Sequence, residues 1–222
     1  MILIKMPRER LELFRESHIK EKEKIIVLAF EGNETEQIYF EDFMSDEQFN
    51  EELIYLHLLK RPKNDTNSAP NHVFSKLKKE AKDEYNFSQA DELWMIIDKD
   101  RWKNIPKIIE FCSNQDNMFV AVSNPCFEFW ILLHVKKFET LTNQEKNLLI
   151  TNPKQTNRKR YIDTFLGNIL EGGYNKTDPK PERYLDKIGF AIAQAVKLDI
   201  EGEEYPKNLG SHVYKLMRKI LK

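Results

Sequence analysis

Three carboxylates stand directly after apolar runs in this sequence. Glu31 follows the run at 24–30, and Asp98 and Asp100 follow the run at 93–97. Short, uninterrupted apolar runs are typical of buried strands, and ligands of parallel α/β sheets bind beyond the carboxyl ends of the strands. We therefore predict that these three side chains come together at one edge of a sheet.

The spacing of Asp98 and Asp100 suggests a specific geometry and chemistry. In an extended segment residues i and i+2 point to the same side, so the two carboxylates are predicted to converge while Lys99 points away. Three oxygen ligands suit Mg²⁺ or Mn²⁺, and the absence of histidine and cysteine from these turns argues against zinc. Such a cation can activate water and stabilise displacement at phosphorus, with Glu31 as a further ligand or as a general base or acid.

A second group of residues borders the same predicted edge. Residues 123–125 end another apolar run and open a helix with Glu128 in its first turns. Glu128 could add a carboxylate to the site or simply complement the helix dipole. Glu36 could likewise belong to the site or be purely structural. The structural interpretation arises because Asn33 and Glu36 have the spacing of a capping box. His134 is interpreted as a core residue rather than a ligand.

The elements that must position these residues alternate between strand and helix. Apolar runs predict four strands, at 24–30, 52–59, 93–97 and 118–122. Helical spacing and turn residues predict helices at about 34–48, 72–85, 105–114 and 126–137, with a loop at 61–70. Uninterrupted apolar strands separated by helices predict an α/β fold with a mainly parallel four-stranded sheet, flanked by helices.

The pattern changes at about residue 140. Apolar positions beyond it follow helical periods at 161–170, 184–196 and 213–221, and no clear strand is found. We therefore divide the chain into an N-terminal arm (1–23), an α/β domain (24–139) and a C-terminal helical extension (140–222). The densest basic cluster, Arg158, Lys159 and Arg160, lies in the extension. It could hold a phosphate backbone beside an acidic metal site or form a solvated charged helix face.

Composition narrows the class of protein. The 222 residues carry 35 basic and 36 acidic side chains, a net charge of −1, which argues against a protein that generally coats nucleic acid but not against a local basic face. Two cysteines exclude a disulfide scaffold and fit a reducing compartment. The sequence shows neither a signal-peptide core nor an apolar run of about 20 residues. We expect a soluble, cytoplasmic protein that does not associate with a membrane.

Three motifs, taken in order, closely resemble the RloB-like family. They are EGNETEQIYF at 31–40, IDKD at 97–100 and SNPCFEFWILLH at 123–134. The resemblance continues weakly at 174–176 and in the last predicted helix. That family is a compact relative of the OLD-type nucleases and is assigned a Toprim fold. The resemblance therefore implies a Toprim-like α/β domain.

What the resemblance implies for the site is Mg²⁺- or Mn²⁺-dependent phosphodiester chemistry, with Glu31, Asp98 and Asp100 as the central carboxylates. By analogy with OLD-type sites, four further residues serve the metal region: Glu36 and Glu128 as ligands, Ser123 beside them, and Lys176 as the candidate catalytic lysine. The implied activity is that of an endonuclease acting on RNA, tRNA included, or on DNA. A topoisomerase would need a separate tyrosine module, for which the chain leaves little room.

The resemblance also implies a partner. RloB-like genes typically accompany an ABC-type ATPase in bacterial antiphage or abortive-infection systems. This chain has seven glycines and no Walker loop, so the ATPase would be the product of a neighbouring gene. Two alternatives to a nuclease effector remain open: a non-catalytic Toprim-fold binding module that regulates the ATPase, and a phosphotransferase acting on nucleotides. Whether the protein forms a homodimer is also left open.

Overall fold

The computed structural model of the chain describes residues 22–32, 34–59, 88–101 and 104–222, with only the backbone at 101. The predicted N-terminal arm up to residue 21, the predicted loop at 61–70 and the predicted helix at 72–85 lie outside these ranges. The other predicted elements lie within them.

Five strands form one sheet in the described part of the chain: β1 (Lys24–Phe30), β2 (Ile54–Leu58), β3 (Glu92–Asp98), β4 (Met118–Asn124) and β5 (Gly210–Ser211). Their order across the sheet is β2-β1-β3-β4-β5. Strands β1 to β4 are parallel, and β5 pairs antiparallel with β4. The predicted mixed α/β class and mainly parallel sheet are confirmed.

Strand β5 corrects two predictions, the count of four strands and the expectation of no strand after residue 140. It is only two residues long, too short to carry a periodic apolar pattern. Its pairing depends on tertiary contact, since Ser211 lies opposite Ser123 and Gly210 lies opposite Asn124. No local signal in the sequence could have revealed it.

Seven α-helices accompany the sheet in the described ranges: α1 (Thr35–Phe43), α2 (Ile105–Ser113), α3 (Phe127–Val135), α4 (Asn143–Thr151), α5 (Tyr161–Ile169), α6 (Ile188–Leu198) and α7 (Val213–Ile220). The helix predicted at 184–196 begins late, at residue 188, after two short 3-10 turns. Helix α4 was not predicted, although its sequence carries a start signal. Thr142 and Glu145 form a capping box, in which each side chain accepts the other residue's backbone N–H.

The sheet separates two apolar clusters. Because alternate strand residues point to opposite faces, Ile26 and Leu28 of β1 belong to the larger cluster, and Ile25 and Val27 belong to the smaller one. The larger cluster includes residues of α1, α3, α6 and α7, and the smaller includes residues of α2. Residues from the last third of the chain thus share one core with the central strands.

Helix α3 is buried on all sides. Its residues 127–134 are all buried, and it packs against α6 and α5 as well as the sheet. A helix that is apolar all round must be enclosed in this way. His134 is part of that core: its Nε2 lies 3.1 Å from Tyr39 Oη and its Nδ1 lies 2.9 Å from the Trp130 carbonyl oxygen. The position of α3 matters for function because its N-terminus points to the carboxyl ends of β3 and β4.

The side chain of Gln194, in α6, bonds to the backbone at the C-terminal end of α3 and just beyond it. The buried Gln194 amide accepts the Phe138 N–H and donates to the carbonyls of Leu133 and Lys136, at 2.6, 2.5 and 3.0 Å. The last carbonyls of a helix have no partner within it. Gln194 therefore satisfies backbone groups that enclosure has removed from water.

Replacing Gln194 with leucine should lower the free energy of unfolding by about 3 kcal/mol, because each buried polar group left unpaired costs about 1–3 kcal/mol. Urea denaturation followed by circular dichroism measures the change. The matched control is Gln144→Leu in α4, where the side chain is exposed and the expected change is within about 0.5 kcal/mol. Equal effects of the two substitutions would contradict the assigned role of Gln194.

Candidate active site

Glu31 and Asp98 lie side by side at the carboxyl ends of β1 and β3, and both are buried. The backbone N–H of Asp98 donates to Glu31 Oε2 at 3.0 Å. Asp98 Oδ1 in turn accepts the N–H of Phe127 at 2.8 Å. Asp98 therefore caps the first turn of α3, where unpaired N–H groups and the helix dipole favour a negative charge.

Asp100 does not follow the predicted geometry. The chain turns after Asp98 into a 3-10 segment, Lys99–Arg101, so the expectation of an extended Asp98-Lys99-Asp100 segment is wrong. The turn is stabilised by the Asp100 N–H, which donates to the Pro125 carbonyl at 3.0 Å. The Asp100 carboxylate still acts on Asp98, because its charge is one of those that, after burial, raise the Asp98 pKa.

Glu36 is buried over Gly32. A Cβ atom on Gly32 would come within 2.7 Å of the Glu36 carboxyl carbon, so a side chain at position 32 would force the Glu36 carboxylate to move. Helix α1 has Glu34 as its N-cap residue, whereas a capping box would place Asn33 there; Asn33 lies outside the described residues. The role of Gly32 could have been suspected from the sequence only as a turn residue.

Lys176 supplies a positive charge among these acids. Its Nζ lies 3.0 Å from Glu128 Oε1 and 3.3 Å from Asp163 Oδ1. Tyr174 donates its hydroxyl to the same Glu128 oxygen at 3.4 Å. The Thr35 hydroxyl donates to the Lys176 carbonyl at 3.0 Å. The segment around Lys176 is thereby tied to α1, α3 and α5 at once.

Asp163 is a site residue that the sequence reasoning missed. It is buried in the first turn of α5, and its Oδ2 accepts the Arg160 N–H at 2.8 Å. An acidic residue in the first turn before an apolar helical pattern is a recognisable helix-start signal. Its approach to Lys176 is a tertiary contact for which the local sequence offers no signal.

Burial and, after it, mutual repulsion raise the pKa values of two of the buried carboxylates, Glu36 and Asp98. Burial, followed by the charges of Glu128 and Glu31, raises the pKa of Glu36 from 4.5 to about 7. Burial, followed by the charges of Glu36 and Glu128, raises the pKa of Asp98 well above its usual range. Removing carboxylates from water disfavours their charged forms, and neighbouring negative charges add to that cost.

Lys176 reverses this trend for one carboxylate. Burial alone would raise the Glu128 pKa, but the Lys176 ammonium together with hydrogen bonds from Cys126 and the backbone outweighs burial, and the pKa is lowered. Burial would likewise lower the Lys176 pKa, but nearby negative charge, Glu128 first, outweighs it and the pKa is raised. Lys176 is consequently a permanent cation at neutral pH.

Ser123 lies opposite Asp98 in the pairing of β3 with β4 and is fully buried. Its hydroxyl lies 2.8 Å from the Ser211 hydroxyl of β5. Ser211 Oγ also accepts the Val213 N–H at the start of α7, at 3.3 Å. The observed contact of the Ser123 side chain thus joins the site edge of the sheet to the last helix.

The basic cluster Arg158, Lys159 and Arg160 lies on a hairpin and not on a helix. Lys154 pairs antiparallel with Arg160, and all three cluster residues are exposed. Arg160 Nη1 lies 3.9 Å from Asp100 Oδ2, which places the cluster beside the acidic edge. A solvated helix face is therefore the wrong description of this segment.

The chemical type of the ligands, carboxylate oxygens, suits a hard divalent cation. The carboxylates come from neighbouring elements, and a divalent cation would relieve the repulsion that raises the pKa of Glu36 and Asp98. The side chains as placed do not form a coordination sphere, because no three His, Cys, Asp or Glu side chains among the described residues have the geometry of a metal site.

Fold and site together define a mixed α/β protein with an acidic cluster at the carboxyl ends of parallel strands. A family model described as RloB-like protein matches residues 26–220, and the chain belongs to that family. The resemblance carried by the three motifs is thereby confirmed. No curated protein and no solved structure gives a significant match. Within the described ranges, no helix combines the length and apolarity that crossing a membrane requires.

Ionisation of Glu36 should lower the free energy of unfolding as pH rises. The pKa of Glu36 is about 7 in the folded protein against 4.5 as the reference value, so the folded state holds the proton more tightly and stability falls between these pH values. One pKa unit corresponds to about 1.4 kcal/mol, which gives a loss of about 3 kcal/mol by pH 8. Glu36→Gln should remove this loss in urea unfolding measured in EDTA.

The control for Glu36 is Glu34→Gln, two residues earlier and exposed. It should preserve the pH dependence of the wild-type protein. At pH 5 the Glu36→Gln and wild-type proteins should differ little, and at pH 8 the variant should be the more stable. A constant difference across this range would show that Glu36 does not titrate as assigned.

Removing the Lys176 charge should destabilise the fold through Glu128. Breaking a buried ion pair costs about 3–5 kcal/mol, and the 37% exposure of the Lys176 side chain reduces the expected loss for Lys176→Met to about 2 kcal/mol. Glu128→Gln in the same chain should recover most of that loss. Urea unfolding of the two single variants and the double variant measures the coupling.

The control for the Lys176 cycle is Lys180→Met. Lys180 pairs with Asp178 at 3.1 Å, but about half of each side chain is exposed, so the expected loss is below about 0.5 kcal/mol. Additive effects of the Lys176 and Glu128 substitutions would be inconsistent with a direct ion pair between them.

Proposed function

We propose that this RloB-like protein is a Toprim-fold endonuclease that needs Mg²⁺ or Mn²⁺ and hydrolyses phosphodiester bonds of RNA, tRNA included, or of DNA. In this proposal it acts as the cytoplasmic effector of a bacterial antiphage or abortive-infection system, and an ABC-type ATPase encoded by a neighbouring gene controls it. The observation that carries the proposal is the group of buried carboxylates at the ends of β1 and β3 and at the start of α3, with one lysine beside them.

Each side chain of the group has a position that suits a role. Glu31, Glu36, Asp98 and Glu128 would hold the cation, and Asp100 adds negative charge at the rim. A bound divalent cation supplies Lewis-acid stabilisation and lowers the pKa of water. Glu31 and Asp98 are already oriented by backbone N–H groups, at 3.0 and 2.8 Å, so little reorganisation is needed when charge develops.

Lys176 is suited to electrostatic work rather than proton transfer. Its raised pKa keeps it protonated, so it cannot serve as a base at neutral pH. It can stabilise the negative charge that accumulates on phosphate oxygens during displacement. The Lys176 side chain is partly exposed, and a phosphate could therefore reach it from solvent.

The Toprim assignment is supported by the arrangement of strands and acids. The central strands β1 and β3 are adjacent and parallel. Buried Glu31 directly follows β1, and buried Asp98 is the last residue of β3. A parallel sheet with acids at its carboxyl ends is the arrangement that the family resemblance leads one to expect. Antiparallel β5 at the sheet edge is compatible with that arrangement.

Asp98→Asn and Glu31→Gln should each lower nucleic-acid cleavage by more than about 100-fold, because even residues that only support metal ligands cost 10- to 100-fold when changed. The assay combines the purified protein and its ATPase with RNA and DNA in Mg²⁺, and sequencing the ends of both polymers from expressing cells identifies the substrate. Exposed Glu34→Gln is the control and should cleave like the wild type.

Cleavage that persists in EDTA, or in both site variants, would refute metal-dependent catalysis by this site. Defence and ATPase binding that survive both substitutions without any cleavage would identify a binding module instead. Turnover of free nucleotides alone would identify a phosphotransferase. Circular dichroism spectra of the variants show whether folding is preserved.

A further inference from the structure

A cleft of about 810 Å³ lies beside the carboxylate group. We call it the α5 cleft; one wall is helix α5 with the preceding hairpin, and the other is the segment 171–183. Thr164 and Asn168 of α5 line it, four residues apart and therefore on one helix face. The adjacent Asp163 is directed to Lys176 instead. Helix α5 thus contributes to the cleft and to the acidic site at once.

The floor of the α5 cleft is also a contact of the site. Tyr174 lines the cleft, is buried, and donates its hydroxyl to Glu128 Oε1 at 3.4 Å. Lys176 lies only two residues further along the chain and contacts the same oxygen at 3.0 Å. Only the Tyr174 side chain therefore separates a molecule in this part of the cleft from Glu128.

The second wall, segment 171–183, is ordered by its own hydrogen bonds. The Arg183 guanidinium donates to the carbonyls of Glu171, Gly173 and Pro179. Gly172 and Gly173 have φ values of +77° and +79°, in the left-handed region that glycine adopts at little cost. These hydrogen bonds reduce the conformational entropy that is lost on binding, because the wall is already ordered without its ligand.

The lining indicates the chemistry of the ligand. The cleft presents hydroxyl, amide and ammonium groups, including Thr164, Asn168, Asn175 and Lys159, which suit sugars, base edges and phosphates. Two carboxylates, Glu171 and Asp178, also line it, and Asp178 is paired with Lys180 at 3.1 Å. Exposed Arg158 adjoins Lys159 on the hairpin. The volume is in the range of sites for small ligands, so it admits a short stretch of single strand and not a double helix.

We propose that the α5 cleft binds a single-stranded nucleic-acid segment next to the phosphate that is cleaved. Lys159 contacts a phosphate of this segment, and Thr164, Asn168 and Asn175 contact its sugars and bases. The proposal rests on the nuclease function proposed above and adds the form of substrate, an unpaired strand, and the path by which it reaches the acidic group.

The test measures binding without cleavage. Fluorescence anisotropy of labelled oligouridylate and oligothymidylate is recorded in EDTA with the full-length protein. Lys159→Glu reverses a charge at the rim and Asn168→Trp fills the cleft, and each should weaken binding by about tenfold or more. Lys159→Ala should reduce the slope of log affinity against log salt by about 0.7, the value for one phosphate contact on a single strand.

Two controls separate this proposal from the nuclease function. Lys197→Glu alters an exposed lysine of α6 paired with Glu139, away from the cleft lining, and should change affinity less than about twofold. Asp98→Asn should bind the oligonucleotides like the wild type while losing cleavage. Circular dichroism confirms that the cleft variants remain folded.

Equal binding by wild type, Lys159→Glu and Asn168→Trp would overturn the cleft proposal, whatever the cleavage assay shows. Tighter binding of a duplex that is unaffected by Asn168→Trp would also overturn it. Cleft-dependent binding of single strands, with no metal-dependent cleavage of any nucleic acid, would support the cleft and refute the nuclease.

Discussion

Repulsion among buried carboxylates is the constraint on which the rest of this structure depends. Glu31, Glu36, Asp98 and Glu128 are all buried, and charges enclosed in this way are costly unless they are paired or hydrogen-bonded. The fold compensates with backbone N–H groups and one ammonium. What remains uncompensated appears as the raised pKa values of Glu36 and Asp98.

The architecture follows from placing those compensating groups. Helix α3 is mostly apolar and is buried on every side, and its N-terminus faces the ends of β3 and β4. Asp98 is thereby positioned to accept the Phe127 N–H. The same enclosure requires α5 and α6 to pack over α3, and α5 brings Asp163 to Lys176. Core packing and the electrostatics of the site are therefore two aspects of one arrangement.

Much of the fold was predictable because its strands are continuous apolar runs. The prediction for β1 agrees at both ends, and the predictions for β3 and β4 fall within the observed strands. Predictions failed where structure depends on contacts distant in sequence. The two-residue strand β5 forms through pairing with β4. The turn at Asp100 is stabilised by a backbone hydrogen bond to Pro125.

The same distinction applies to the candidate site. Glu31 and Asp98 could be identified because each directly follows a strand, and the structure brings them into contact. Asp163 could not be identified in this way, because it contacts Lys176 only once α5 and the later loop have packed together. The residue types of the motifs predict a hard cation at this edge, and the described side chains lie close together without forming a coordination sphere.

The contact of Ser123 with Ser211 has a consequence for synthesis of the protein. The strands carrying Glu31 and Asp98 leave the ribosome well before Lys176, and Ser211 emerges later still. A nascent chain that ends before these residues has its acidic group without the ammonium, and the outer edge of β4 without its partner. The acidic group therefore receives its ammonium only after residue 176 has been made, so a shorter chain lacks the lysine that the proposed cleavage requires.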